Sequence, residues 1–128
     1  MEEGAGRTIM VVEDYDDTRL MLKAMLEAKG YVVLEAVNGQ EAVEVATAAR
    51  PDLILMDLDL PILDGIEATN RIRLHAGLKG VPIIAVTAYP MSFTRVRAFS
   101  QGCSGYVEKP IDFPKLNGLI EKHLSTSA

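Results

Sequence analysis

The segment Leu53-Ile54-Leu55-Met56-Asp57 decides the fold, because four apolar residues lead directly into a carboxylate. A short, continuous apolar run is typical of a strand that is buried on both faces of a parallel sheet. A charged side chain is costly to bury, so Asp57 should lie where the strand leaves the core. In open α/β sheets the ligand crevice lies at the carboxyl ends of the strands. Asp57 is therefore the first candidate for a functional residue.

Polar residues also end three other strand-like runs. They are Glu13 and Asp14 after residues 9–12, Thr87 after residues 82–86, and Lys109 after residues 105–108. If all four runs are parallel strands of one sheet, their carboxyl ends share one edge. The sequence therefore predicts one site that combines three carboxylates, a hydroxyl and an ammonium group.

The composition is that of one globular domain. The chain has 128 residues, of which 48% are hydrophobic and 24% charged, as in ordinary folded domains with a single core. The net charge is -5, from 13 basic and 18 acidic residues, and the basic residues form no run. This argues against nucleic acid or an anionic membrane as a direct partner and favours a cation or a basic protein surface.

The sequence also predicts the compartment. Cys103 is the only cysteine, so an intrachain disulfide is impossible and a reducing environment is suitable. No apolar stretch approaches the roughly 20 residues of a membrane-spanning helix. The start of the chain has neither the basic nor the apolar part of a signal peptide. A cytoplasmic protein is expected.

Strand-length runs alternate with longer segments of helical period, which predicts right-handed βαβ units and a parallel sheet. Strands are predicted at residues 8–13, 31–36, 52–57, 82–86 and 104–109. Helices are predicted at residues 17–29, after a cap at Asn38, at residues 64–75, after Pro90, and after a cap at Asp112. The fourth helix should be short or mobile, because only Val96 and Phe99 supply its apolar stripe. With no internal repeat or linker, residues 1–128 are predicted to form one domain, with its core at about residues 7–124 and flexible ends.

Over residues 8–124 the chain resembles the receiver domain of two-component response regulators, in particular the single-domain members that are similar to chemotaxis regulators. The matching pieces are Val11-Val12-Glu13-Asp14, Leu55-Met56-Asp57 followed by Pro61 and Asp64-Gly65, then Thr87-Ala88, and Lys109-Pro110. The resemblance implies a flavodoxin-like, doubly wound sheet of five parallel strands in the order 2-1-3-4-5, with helices on both faces.

The residue types suit phosphoryl transfer. Asp57 can act as an oxygen nucleophile that forms an aspartyl phosphate. Because a carboxylate that attacks a phosphoryl group meets like charge, the site must supply positive charge. Glu13, Asp14 and Asp57 form an oxygen-rich set suited to Mg²⁺. Lys109 and Thr87 can contact two further phosphoryl oxygens, which positions and stabilises the transferred group.

The resemblance implies finer roles. Asp14 and Asp57 would bind the metal through their side chains, Glu13 mainly through water, and Asp59 through its backbone carbonyl. Thr87 and Tyr106 would act together as the switch that reports phosphorylation, although the strand pattern of Tyr106 by itself predicts only a half-buried aromatic residue. The resemblance further implies a cis peptide bond before Pro110 that directs Lys109 into the site.

The resemblance implies that two residues at the mouth of the predicted site tune the lifetime of the phosphoryl group. Asp59 and Tyr89 lie two positions beyond Asp57 and Thr87, and the resemblance implies that residues at these places vary between members. Pro90 restricts Tyr89 to extended backbone, so the ring can lie over the crevice as a lid. Alternatively, Tyr89 points outward and belongs to a partner-binding surface.

The predicted function is that of a signalling switch and not of a conventional enzyme. A histidine kinase or a histidine phosphotransfer protein would donate the phosphoryl group, and the chain would promote its own phosphorylation and dephosphorylation. The face formed by helix 4, strand 5 and helix 5 would then present a changed surface to an effector protein in trans. The protein would be a monomer or a phosphorylation-dependent dimer.

Three alternatives remain open at this point. The chain could be the receiver part of a hybrid histidine kinase. It could be a phosphohydrolase of the haloacid dehalogenase type, which also forms an aspartyl phosphate, although that family places its nucleophile on an early strand and needs more chain. It could also be a degenerate receiver that acts as a constitutive scaffold, which the complete set of site residues argues against.

Overall fold

The computed structural model describes residues 6–88 and 91–126. Strands and helices alternate along the whole of this region. They are β1 (Thr8–Val12), α1 (Asp16–Ala28), β2 (Val32–Ala36), α2 (Gly39–Ala49), β3 (Leu53–Asp57), α3 (Gly65–Arg73), β4 (Ile83–Thr87), α4 (Met91–Ser100), β5 (Gly105–Glu108) and α5 (Phe113–Thr126). A short 3-10 helix, Ala76–Leu78, connects α3 to β4.

The five strands form one parallel sheet in the order β2-β1-β3-β4-β5. This confirms the flavodoxin-like, doubly wound arrangement that the resemblance implies. Every strand points the same way, so all carboxyl ends lie at one edge of the sheet. The register pairs Asp57 with Val86 and Thr87 with Glu108. The third and fourth strands therefore end side by side.

Each face of the sheet packs against its own hydrophobic core. Successive strand residues point to opposite faces, and β3 shows this clearly, since Ile54 and Met56 belong to one core whereas Leu53 and Leu55 belong to the other. All residues of β3 and β4 are buried. Burial on both faces explains why these strands are apolar throughout, with a polar residue only at the end.

Side-chain caps fix the starts of three helices. The Asn38 side chain accepts a hydrogen bond from the backbone N–H of Glu41 at 2.7 Å, which confirms the predicted cap of α2. Asp112 accepts one from the N–H of Lys115 at 3.2 Å and caps α5, again as predicted. Asp64 caps α3 in the same way. These bonds satisfy amide groups that a helix start otherwise leaves unpaired.

Several predicted boundaries differ from the structure. Helix α3 ends at Arg73, two residues before the predicted end, and α5 continues to Thr126. The predicted apolar stripe of α4 is wrong: Val96 is 70% exposed and Phe99 38% exposed, whereas Ala98 is fully buried. The small alanine lets this helix pack closely on the sheet. Residues 1–5 and 127–128, which belong to the predicted flexible ends, lie outside the described residues.

One further backbone feature lies in the loop that follows Asp57. Ile62, in the loop between β3 and α3, has a φ of 69° and is 83% exposed. A positive φ is strained for a β-branched residue.

None of the helices in the described part of the chain has the length and hydropathy that a bilayer-spanning helix requires.

Candidate functional site

Three carboxylates meet at the carboxyl ends of β1 and β3. Glu13, Asp14 and Asp57 each place a carboxylate oxygen within 4.8 Å of the other two. Glu13 and Asp57 are only 2% and 4% exposed, whereas Asp14 is open to solvent. The three side chains come from two neighbouring strands, which explains why residues 43 positions apart in sequence are in contact. The cluster is thus partly enclosed by protein and open on one side.

Lys109 brings a positive charge into contact with this cluster. Its Nζ donates hydrogen bonds to Glu13 Oε1 at 2.8 Å and to Asp57 Oδ2 at 3.4 Å. The backbone N–H of Lys109 donates to the Thr87 carbonyl at 2.7 Å, which holds the residue at the end of β5. The Lys109–Pro110 peptide bond is cis. Lys109 follows β5, on the far side of β4, yet its side chain contacts the carboxylates at the ends of β1 and β3.

Burial and like charge shift the ionisation of the two enclosed carboxylates. Burial raises the pKa of Asp57 to about 7; its neighbour Glu13 adds to the rise, and the backbone N–H of Asp59 and the charge of Lys109 oppose it. Burial also acts to raise the pKa of Glu13, but hydrogen bonds, above all from Lys109, leave it lowered. The pKa of Lys109 is raised by the two carboxylates, despite its own burial. The metal-free site therefore disfavours the ionised form of Asp57.

The donor set fits a hard divalent cation. All three candidate ligands are carboxylates, which suit Mg²⁺ or Ca²⁺ rather than a softer metal. One ammonium group does not balance three carboxylates, and Glu13 adds to the rise that burial causes in the pKa of Asp57. Asp59 has an exposed side chain, and its N–H donates to Asp57 Oδ1 at 3.0 Å.

Gly65 lets α3 begin directly against the end of β3. A Cβ atom on Gly65 would lie 2.1 Å from the Asp57 carbonyl oxygen, far inside van der Waals contact. The Gly65 N–H donates to the Leu58 carbonyl at 3.2 Å, which fixes the approach. Only glycine is compatible with this contact. The sequence includes Asp64-Gly65 in the matching motif, but the steric reason is visible only in the structure.

Thr87 and Tyr106 lie on adjacent strands, and both are buried. Thr87 is fully buried at the end of β4. Tyr106 is 5% exposed, so the half-buried position that its strand pattern predicts is wrong. The ring belongs to the core beneath α3 and α4. Its hydroxyl makes no hydrogen bond of normal geometry within the described chain; burial raises the pKa of Tyr106, and the nearby Thr94 side chain opposes that shift. Tyr89 lies outside the described residues.

Arg19 contacts the backbone of the site, and the sequence analysis did not predict this contact. Its guanidinium donates to the Glu13 carbonyl at 3.2 Å, to Asp16 Oδ1 at 2.7 Å and to Glu35 Oε1 at 3.0 Å. The spacing of Asp16 and Arg19 on one face of α1 was visible in the sequence and indicates an ion pair. The hydrogen bond from Arg19 to the carbonyl of Glu13 depends on the path of the chain after β1 and could not be predicted from sequence spacing.

Comparison with known proteins gives one consistent result. Residues 9–121 match the family described as the response regulator receiver domain. A similar curated relative is the polar-differentiation response regulator DivK of Brucella anthropi, with 37% identity over 118 residues, which cover 92% of this chain and 96% of that protein.

Solved structures agree. The receiver domain of the sensor histidine kinase PA1611 from Pseudomonas aeruginosa, which was crystallised with a magnesium ion in its active-site cleft, is similar with a TM-score of 0.87 and 36% identity; the match covers 94% of this chain and 99% of that one. A chain in the co-crystal of the Saccharomyces cerevisiae phosphotransfer protein Ypd1 with the receiver domain of Ssk1 is similar with a TM-score of 0.89 and 30% identity, over 97% and 92% of the two chains.

Proposed function

Because this chain belongs to the receiver domain family of two-component response regulators, we propose that Asp57 is its phosphoacceptor and that Glu13, Asp14 and Asp57 bind Mg²⁺. The observation that carries this proposal is the carboxylate cluster with Lys109 in contact with two of its members. The cluster supplies the nucleophile, a place for a divalent cation and a positive charge beside the nucleophile. These are the elements that phosphoryl transfer to a carboxylate needs.

Phosphorylation would proceed by direct attack of an Asp57 oxygen. As the new O–P bond forms, the P–N bond of a donor phosphohistidine breaks and the donor imidazole keeps the electron pair. Bound Mg²⁺ would offset the negative charge that builds up between carboxylate and phosphoryl oxygens. Lys109 is 3.4 Å from Asp57 Oδ2 and would contact the incoming phosphoryl group, exchanging its bond to Glu13 for one to a phosphoryl oxygen. Thr87 would bind another phosphoryl oxygen through its hydroxyl.

The phosphoryl donor is proposed to be a histidine kinase or a phosphotransfer protein. A groove of about 280 Å³ lies directly beside the site, and its lining includes Met21 of α1 together with Lys109, Pro110 and Phe113. The groove offers an apolar surface next to the nucleophile, as a protein donor needs if it is to bring a phosphohistidine to Asp57. We propose that the switch works in the cytoplasm as a single domain, and as a monomer or a phosphorylation-dependent dimer.

The effector surface is proposed to be the face of α4, β5 and α5. A groove of about 330 Å³ on this face is lined by Tyr106 and Phe99 and by the cations Arg95, Lys115 and Lys122. The described lining contains no carboxylate, so this groove suits an acidic partner segment with an apolar residue. Phosphorylation would stabilise a minor conformation through Thr87 and Tyr106 and so change the shape of this groove.

Intact mass measurement after incubation with acetyl phosphate and Mg²⁺ tests the assignment. Wild type should gain one phosphate. Asp57→Asn should gain none, because an amide is not a competent nucleophile, whereas Asp59→Asn, a matched change two residues away, should still be labelled. A phosphate adduct on folded Asp57→Asn would place the phosphoacceptor elsewhere, and multiple turnover of a phosphate ester would indicate a phosphohydrolase.

The tuning role of Asp59 and Tyr89 remains a proposal with its own test. The decay of the phosphorylated protein is followed after removal of the donor, in wild type and in Tyr89→Ala. Faster loss in the variant would support a lid that hinders water. Equal half-lives would assign Tyr89 to the partner-binding surface.

A further inference from the structure

Arg19 connects the metal-binding cluster to the outer face of α1. Its side chain is only 12% exposed, and the guanidinium contacts three acceptors: the Glu13 carbonyl, Asp16 and Glu35. A planar guanidinium presents its donors in fixed directions, so each bond limits the freedom of the other two. Arg19 thus holds the loop after β1 from the side opposite to Lys109.

The bond to Glu13 fixes the backbone and not the side chain. The carbonyl of Glu13 belongs to the peptide unit that joins Glu13 to Asp14, the two cluster members on this loop. The N–H of Glu13 is held by the Ala36 carbonyl at 3.0 Å, and its carboxylate accepts from Lys109 and from the N–H of Tyr15. With the Arg19 contact, the backbone of Glu13 is held at both ends. These bonds therefore fix the orientation of the peptide unit that leads into Asp14.

Arg19 also separates the acidic residues of this region into two groups. Asp16 and Glu35 bind Arg19 at 2.7 and 3.0 Å. The cluster that could hold a metal ion contains Glu13 and Asp14 but neither of these two. Without Arg19, repulsion between the four carboxylates would act on a loop whose backbone is less restrained.

We propose that Arg19 is a positioning residue for the divalent cation: its bond to the Glu13 carbonyl, together with its capture of Asp16 and Glu35, holds Glu13 and Asp14 in the geometry that binds Mg²⁺. The inference rests on the proposed function, since it assumes that the cluster binds the ion. It assigns a role to a side chain that touches neither the ion nor the phosphoryl group. Residues that orient metal ligands in this way commonly change metal affinity by about tenfold or more when they are replaced.

Electrostatics gives the test a clear sign. Removing a nearby positive charge should by itself strengthen the binding of a cation. Arg19→Gln would therefore bind Mg²⁺ as tightly as wild type or more tightly if only charge mattered. If positioning dominates, the same variant should bind about tenfold more weakly. The two accounts thus predict opposite changes.

Lys23→Gln is the matched control. Lys23 lies one helical turn beyond Arg19 and pairs with the same Glu35 at 3.4 Å, but makes no described contact with the Glu13 carbonyl. The change in net charge is the same in both variants. Lys23→Gln should bind Mg²⁺ with unchanged or slightly higher affinity.

The measurement is the Mg²⁺ dissociation constant by calorimetry, without phosphate donor, on wild type and the two variants, with thermal unfolding of each metal-free protein. Weaker binding in folded Arg19→Gln but not in Lys23→Gln supports the proposal; equal or tighter binding in Arg19→Gln overturns it. If Arg19→Gln does not fold, Arg19→Lys is measured instead. Lysine keeps the charge but lacks the planar set of donors, so weaker Mg²⁺ binding supports the proposal and equal or tighter binding overturns it. Failure of wild type to bind Mg²⁺ would instead refute the proposed metal site itself.

Discussion

Replacement of Asp57 by asparagine should stabilise the metal-free protein at pH 8. In the folded state burial raises the pKa of Asp57 from 3.8 to about 7, so ionising this group in place is unfavourable. A shift of about three pH units corresponds to about 4 kcal/mol. The amide removes this cost, which already includes the attraction of Lys109, but it buries a polar NH₂ group, and this offsets about 2 kcal/mol. A net gain of about 2 kcal/mol is therefore expected.

The gain should depend on pH with a defined sign. The folded protein holds an extra proton on Asp57 between pH 3.8 and about 7, so wild type loses stability as the pH rises through that window. Asp57→Asn has no such group, and its advantage should grow over the same range and level off above pH 7. The advantage should be clearly larger at pH 8 than at pH 5.

Urea unfolding followed by circular dichroism, with a chelator present, measures both quantities. The control is Asp59→Asn, which removes an exposed carboxylate from the same loop and should change stability by less than about 0.5 kcal/mol at either pH. The reasoning is refuted if Asp57→Asn is no more stable than wild type at pH 8, or if its gain is the same at both pH values.

Three other predictions concern the site and its loop. Mg²⁺ at a hundred times its dissociation constant should stabilise wild type by about 2.7 kcal/mol in thermal unfolding, but not Asp14→Ala; equal shifts would exclude Asp14 as a ligand. Gly65→Ala should destabilise by several kcal/mol because its Cβ would meet the Asp57 carbonyl at 2.1 Å, whereas Gly118→Ala in α5, with nothing within 4 Å, should stabilise by about 0.5 to 1 kcal/mol; comparable effects in urea unfolding would contradict the steric argument. Ile62→Asn should relieve the positive φ and stabilise by about 1 kcal/mol in urea unfolding, whereas Ile62→Val should not; equal stabilities of the two variants would contradict the idea of strain at this position.

The sheet could be predicted from the sequence because its strands are buried on both faces. Continuous apolar runs such as the one before Asp57 cannot belong to an exposed element, and the polar residue that ends each run marks the functional edge. The caps at Asn38 and Asp112 were also predictable, since capping depends on local residue types. The strand order followed from the resemblance, whereas the polar residues that end the apolar runs had already indicated the members of the site.

Other features depend on tertiary contacts that have no local sequence signal. The outward position of Val96 and Phe99 follows from the close packing of α4 through Ala98, which periodicity alone does not predict. The role of Arg19 requires the path of the loop after β1. The need for glycine at position 65 comes from a contact with β3 that is set by the whole fold.

The cation-lined groove on the face of α4, β5 and α5 gives the molecule a strongly uneven charge distribution. The protein carries a net charge of -5, with acidic residues crowded at the carboxyl edge of the sheet, yet the described lining of this groove has only positive charges and neutral groups. An acidic partner would be guided toward the groove and repelled from the carboxylate edge while still some distance away, over about 8 Å at physiological ionic strength. Encounter with the effector would then be fast in dilute buffer and slow in concentrated salt. Long-range forces would thus direct the effector to its own groove before it makes contact.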